Sequence, residues 1–472
     1  MTDIEPRMGA FSAVMWDIEV DPILRSPITL VCMLDSVPDA DVVLDRVERM
    51  TRANAKLRAR VIGNPVSLVP PRWEADPNFD MSYHVRWARP ERARADLSDV
   101  LEMAERITEE DFDRSRPLWE LTIVTGLKGK QAAFIMKVHH SITDGEGGVM
   151  MLATLLELQR EPADLGEMPP APTGEVLDHS ARFQQGVVVE AKTVVNDART
   201  VAEGSLGLAK KAITDPMTSA VTARNWTASA ARLLAPAAEP LSDLWRDRSM
   251  SVAFAVLEAS LADLKAAAKA AGVTLNDAYM AAVMGGLWRY HKSHGSASHS
   301  LRVNMPVSLR SSGDAGGAGG NSWVPARFEI PIGDADPEQR MKDLHPLLLS
   351  ARTEPALGMS SAVYKVMSLL PNPAMAAASA GLMKGTDFAA TNVPGPPIPL
   401  FFAGSEILSM VPFAPKGGAS VNVGLMSYAG KVFIGINIDR GAVADPDALT
   451  DDLFEALQEV LDVGSEAANP TA

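Results

Sequence analysis

Lys137-Val-His139-His140-Ser-Ile-Thr-Asp144-Gly145 closes a short apolar run, Ala132-Ala-Phe-Ile-Met-Lys-Val, and the reading of the chain turns on it. The run follows a Gly-Lys-Gln turn and predicts a buried strand. Its end therefore delivers two histidines and an aspartate to the rim of a sheet. Successive strand residues point to opposite faces, so one of His139 and His140 can face a reaction chamber and the other serves architecture. Gly145 permits the tight turn that follows. Asp144 and Glu146 then lie at the start of a helix, where carboxylates suit the positive end of the dipole.

A neutral imidazole can take a proton from an alcohol, amine or thiol near pH 7, contributing about 10²–10⁴-fold in rate. Metal binding is the weaker reading, because zinc needs three or four converging ligands and adjacent strand residues diverge. On its own a His-His pair also fits a satisfied core or surface feature, so the rest of the chain has to decide.

Other stretches do. Arg114-Ser-Arg116-Pro117-Leu118-Trp119-Glu120, then Asn276-Asp277, then Val303-Asn-Met-Pro306-Val-Ser308-Leu-Arg310, then Asn392-Val393-Pro394-Gly395-Pro396 follow one another along the chain. His139-His140-Ser-Ile-Thr-Asp144-Gly145 resembles the HHxxxDG motif of acyltransferases related to chloramphenicol acetyltransferase, a group that includes nonribosomal peptide condensation domains. With the other stretches in this order, the chain resembles the bacterial wax ester synthase/diacylglycerol acyltransferase family; Pro117-Leu-Trp matches its PLW motif and Asn276-Asp277 its ND motif. Trp73-Glu-Ala-Asp76-Pro-Asn-Phe79-Asp80-Met-Ser-Tyr83-His84-Val85 has the look of its N-terminal half.

The resemblance implies a layered α/β fold of two chloramphenicol acetyltransferase-like domains, a pseudo-dimer joined by a helical linker. It implies that His140 is the general base in a channel between the domains and that His139 packs behind it. Asp144 would then fix the histidine loop through a salt bridge, with Arg310 the expected partner, since a guanidinium can clamp a carboxylate bidentately. Asn276 is a donor or positioning group by the same resemblance; by its own context it equally suits a helix start with Thr274 and Asp277. Asn392-Val-Pro394-Gly395-Pro shapes the domain crossing or the channel wall, and Pro117-Leu118-Trp119 anchors the strand beside it. Glu146 departs from the small or apolar residue usual there, which leaves the class of acceptor open.

The implied reaction is acyl-CoA-dependent O-acylation of a long-chain alcohol or diacylglycerol, with no cofactor and no metal. A condensation-like or polyketide-related acyltransferase using a carrier-protein thioester is the alternative enzyme reading. A non-catalytic lipid-binding homologue is the alternative outside enzymology.

Composition sets bounds. At 472 residues the chain predicts more than one core. Its 44 Lys plus Arg against 59 Asp plus Glu give a net charge of −15, which disfavours nucleic acid or general electrostatic docking on anionic lipid. The lone cysteine, Cys32, lies in an apolar run and reads as a small buried residue. With no basic-then-apolar leader in Met1-Thr-Asp-Ile-Glu-Pro-Arg and no long apolar span, the expectation is a cytoplasmic protein whose contact with the inner membrane or lipid droplets is peripheral.

Domain divisions are expected at 1–165 (with the histidine motif), 166–249 (proline-rich linker and crossover helices) and 250–472 (second domain). Strands are predicted over 28–34, 120–126, 132–138, 251–257, 328–332, 420–427 and 431–439. Helices are predicted over 42–57, 97–107, 260–272, 278–290 and 446–461. A stripe at Val187, Ala191, Val194, Ala198, Val201, Ser205 and Leu208 predicts a long helix, Gly313 to Gly320 a loop, and the weakly charged Pro355 to Met383 two short helices that form core or border a lipid channel. Lys384, Lys416 and Lys431 are local cations that coenzyme A phosphates could use; none is assigned.

Overall fold

The computed structural model describes residues 4–6, 8–63, 71–143, 145–178, 239–308, 323–352 and 383–468, with isolated positions 180, 181, 184, 377 and 380. The helix expected over 187–208, the loop over 313–320 and nearly all of 355–383 lie outside the described residues.

Apolar, β-branched runs form fourteen described strands. In the first half they are β1 (Pro27–Leu34), β2 (Ala59–Ile62), β3 (Arg72–Ala75), β4 (Val85–Ala88), β5 (Trp119–Val124) and β6 (Ala132–His139). In the second they are β7 (Val252–Ser260), β8 (Ser300–Ser308), β9 (Trp323–Pro331), β10 (Phe388–Val393), β11 (Phe401–Phe402), β12 (Ser405–Phe413), β13 (Val421–Tyr428) and β14 (Lys431–Asp439). One six-stranded sheet runs β11-β12-β1-β6-β5-β4 and the other β7-β14-β13-β10-β8-β9, while β2 and β3 pair alone. Both sheets are mixed: β4 is parallel to β5, and β10 is parallel to β8 and β13.

Helices start and stop where local chemistry dictates. The Leu261–Ala271 helix is opened by the Ser260 side chain and closed by left-handed Gly272. Thr274 and Asp277 form a reciprocal capping box at the head of the Leu275–Ser293 helix. That helix and the Pro446–Ala468 helix cover one face of the second sheet, approaching so closely that a Cβ on Gly286 would stand 2.6 Å from the Leu453 Cα.

The sheets do not follow chain order. β12 belongs to the second half yet pairs antiparallel with β1, so Phe402, Met410, Val411 and Phe413 pack in the first core. The Phe413 ring stacks on Phe254 of β7, centroids 3.9 Å apart, which ties that core to the edge of the second sheet. The Leu97–Glu109 helix adds a polar tie: Glu109 accepts the Val252 amide and Glu105 the Phe254 amide, each at 2.7 Å. These alternate amides point outward from an edge strand and would otherwise stand open.

At the junction of the sheets, Gly424 and Gly435 face each other across β13 and β14, and the Pro412 carbonyl of β12 rests on them. A Cβ on Gly435 would lie 2.0 Å from that oxygen. Gly435→Ala should therefore push β12 off the second sheet and cost about 1–3 kcal/mol in urea unfolding. Gly333→Ala, where a Cβ meets nothing within 4 Å, is the control expected to be near neutral. Equal midpoints for the two variants would show that the junction is not tightly packed.

Candidate active site

His139 ends β6 opposite Pro27. Its amide donates to the Leu118 carbonyl and the His140 amide to the Ser26 carbonyl, each at 3.0 Å. The histidine turn is thus held on one side by Pro117-Leu118-Trp119 and on the other by the start of β1. Leu118 and Trp119 are fully buried. The Trp119 indole donates to the Leu57 carbonyl at 2.8 Å, and its ring stacks on His84 with centroids 4.5 Å apart. His84 in turn places Nδ1 2.7 Å from the Trp119 carbonyl, and burial pushes its pKa down, so it is a neutral core histidine.

The His139 ring is enclosed. Its Nδ1 accepts the Ser141 amide at 3.0 Å and lies 2.7 Å from the Ser141 hydroxyl. Since Nδ1 accepts an N–H, the neutral ring carries its proton on Nε2, which stands 2.8 Å from Glu19 Oε1. Trp16 and Phe112 present ring edges to it. The alternation leaves open which histidine is packed; the resemblance is what assigns His139 to that place. His140, 8% exposed, follows it in the turn.

Glu19 was not legible as part of the site. Besides His139, its Oε1 accepts the Ser26 amide at 2.7 Å, and its Oε2 accepts from Arg114 Nη2 at 3.0 Å. The Arg114 guanidinium lies 4.2 Å over the Trp16 ring. Burial alone would raise the Glu19 pKa, but His139, the Ser26 amide and Arg114 outweigh it and hold the carboxyl below its ordinary range. Nearby Asp17 behaves oppositely: burial, opposed by Arg114, pushes it up to about 6. Stability from protonated Asp17 is fully present below the ordinary carboxylate pKa and is lost as pH rises through about 6.

Asn276 and Asp277 separate in role. Asp277 is buried, and its carboxylate accepts the Thr274 amide at 2.8 Å and the Thr274 hydroxyl at 2.7 Å, with His345 Nδ1 2.8 Å away. It is a capping and packing residue. Asn276, half-buried, reaches Asn392: their side chains meet at 3.5 Å. The segment after Asn392 runs against β13, where Gly395 donates to the Ser427 hydroxyl at 3.2 Å and a Cβ would come within 2.1 Å of the Ser427 carbonyl. Pro394 and Gly395 thus form a close backbone crossing. The motifs gather into two groups: His139, His140 and Pro117-Leu-Trp on the first sheet, Asn276 and Asn392-Val-Pro-Gly on the second.

Asp144 and Arg310 lie outside the described residues, as does the Glu146 side chain; Gly145 opens the helix Gly145–Leu152. Lys384 pairs with Asp21, Lys416 with Asp439 and Lys431 with Glu258, so each of the three lysines already holds a carboxylate. Cys32 is fully buried in β1. Among the described residues, no cluster of His, Cys, Asp or Glu could hold a metal ion.

Two mixed sheets with the His139-His140 pair in a turn held between strands fit the acyltransferase class that the HHxxxDG pattern suggests, and the family matches establish it. The chain belongs to the wax ester synthase/diacylglycerol acyltransferase family: the model of that family's catalytic domain matches residues 26–279, and the model of its C-terminal domain matches 319–460. It is 34% identical over 458 residues to a putative diacylglycerol O-acyltransferase of Mycobacterium tuberculosis, covering 97% of this chain and 92% of the relative. The structure is similar to the wax ester synthase/diacylglycerol acyltransferase of Marinobacter aquaeolei VT8, with TM-score 0.61, 20% identity and coverage of 98% of this chain and 100% of that one. The first condensation domain of the calcium-dependent antibiotic synthetase shares the fold, with TM-score 0.61 at 15% identity, covering 100% of this chain and 98% of that domain.

Proposed function

We propose that the protein transfers an acyl group from acyl-CoA to the hydroxyl of a long-chain alcohol or of diacylglycerol, giving a wax ester or triacylglycerol, with His140 as general base. The observation that carries this reading is the buried histidine turn held by the Leu118 and Ser26 carbonyls, in which the His139 ring packs against Glu19 and Ser141 and His140 is the second histidine of the HHxxxDG pattern. His140 takes the acceptor hydroxyl proton as that oxygen attacks the thioester carbonyl. The C–S bond then breaks, and His140 returns the proton to the coenzyme A thiolate. No covalent acyl-enzyme is needed, so both substrates meet the same imidazole together.

In this reading Asn276, beside Asn392, is a donor that helps position a substrate at the chamber, and Asp144 with Arg310 forms the ion pair that organises the histidine loop. Among the described residues no helix is long and apolar enough to cross a membrane. Peripheral contact with a membrane or lipid-droplet surface would supply the water-insoluble acceptor.

Incubating the protein with palmitoyl-CoA and a panel of hexadecanol, dioleoylglycerol and a short soluble alcohol tests the proposal, with free thiol and lipid products followed together. Thiol release that depends on the acceptor, matched by ester, is the expected result. Thiol release without acceptor, or ester formed only from a carrier-protein thioester, would replace it with hydrolysis or with condensation-type chemistry.

A further inference from the structure

We infer that Glu19 is a positioning residue for His140, acting through His139 and Ser26; the inference rests on His140 being the base.

Glu19 sits in a single 3-10 turn, Ile18–Val20, directly after helix α1 (Ala10–Asp17), far from the histidines in sequence. A buried carboxylate is costly unless its oxygens are engaged. Here one oxygen, Oε1, meets both His139 Nε2 at 2.8 Å and the Ser26 amide at 2.7 Å. Those two partners flank His140: His139 is its covalent neighbour, and the Ser26 carbonyl accepts its amide. One carboxylate oxygen therefore contacts both of the backbone segments that set the direction of the His140 side chain. The Ser141 amide on Nδ1 already sets the neutral His139 ring as the Nε2–H tautomer, and Oε1 is the atom that this Nε2 meets.

Neutralising Arg114 is not a sufficient reason for Glu19 to be there. The Arg114 side chain is 39% exposed and lies on the Trp16 face, so water and the ring already serve it. Arg114 also uses Oε2, the oxygen that neither His139 nor Ser26 touches. The function lies in the placement of Oε1 between His139 and Ser26. In productive geometry a displacement of about 1 Å can cost on the order of a hundredfold in rate.

The test is a series at one position. Glu19→Gln keeps an acceptor oxygen at the same reach, Glu19→Asp keeps the charge but is too short to meet both partners, and Glu19→Leu removes the acceptor. The Leu and Asp variants should lose at least tenfold in kcat with the KM for palmitoyl-CoA little changed, and Gln should recover most of that loss. If Leu melts below the assay temperature, the comparison of Asp with Gln carries the test. ¹⁵N-histidine spectra supply a readout independent of turnover: the His139 and His140 ring signals should shift from the parent's in Asp and stay close to them in Gln. Parent-like kcat in Asp, Gln no better than Asp, or parent-like ring signals in Asp would overturn the inference. His140→Ala is run alongside. If it stays active, the base assignment itself has failed; if it is inactive while the Glu19 variants are unaffected, only the role of Glu19 has.

Discussion

His140→Ala is expected to lower acceptor-dependent thiol release by about 10²–10⁴-fold, the range that a positioned general base supplies. The folded state should be little altered. The backbone bond from residue 140 to the Ser26 carbonyl survives the change, and the neighbouring His139 keeps Glu19 and Ser141. Single-turnover assays with palmitoyl-CoA and hexadecanol, paired with thermal melts, separate chemistry from folding. Turnover above a tenth of the parent's would remove His140 from the role of base, whatever happened to stability.

Trp119→Ala carries the largest expected effect on stability, about 3–5 kcal/mol in urea unfolding, the usual cost of truncating a fully buried large aromatic. The ring lies between the histidine strand and the loop at Leu57, stacked on His84. Its removal opens a cavity under the backbone that receives the His139 amide, so activity should fall along with stability. Trp119→Phe would keep much of the stack and lose chiefly the bond to the Leu57 carbonyl, about 1 kcal/mol. If the Ala variant lost no more than the Phe variant, the segment would be a surface feature and not a brace.

Elements whose signals are local were legible in the sequence. Ala132–His139 emerges as a strand because every residue in it is buried, and the Ser260 and Gly272 punctuation brackets a helix as read. The helix start at Thr274-Leu-Asn-Asp277 could be seen too, but all three polar residues suited a cap there; it is the structure that makes Asp277 the capping partner and turns Asn276 toward Asn392. Partners distant in sequence were not legible. Periodicity tells which residues are buried but not against what, so nothing in Trp16-Asp-Ile-Glu19 marks Glu19 as the carboxylate facing His139. For the same reason Phe401–Phe413, which lies in the chain between β10 and β13 of the second sheet, gave no sign of crossing to β1.

That crossing bears on how the polypeptide can be divided. A fragment ending before Phe401 leaves β1, apolar from Leu30 to Leu34, without the partner that covers one of its edges. An exposed apolar edge is a template for association with other chains. Expressing the two halves separately therefore invites aggregation of the first, unless residues 401–413 travel with it. The alternative is to let the second half donate that segment in trans, as strand-complementing partners do. The two halves then become a split enzyme whose reassembly is driven by a donated strand, and recovered transferase activity would serve as its reporter.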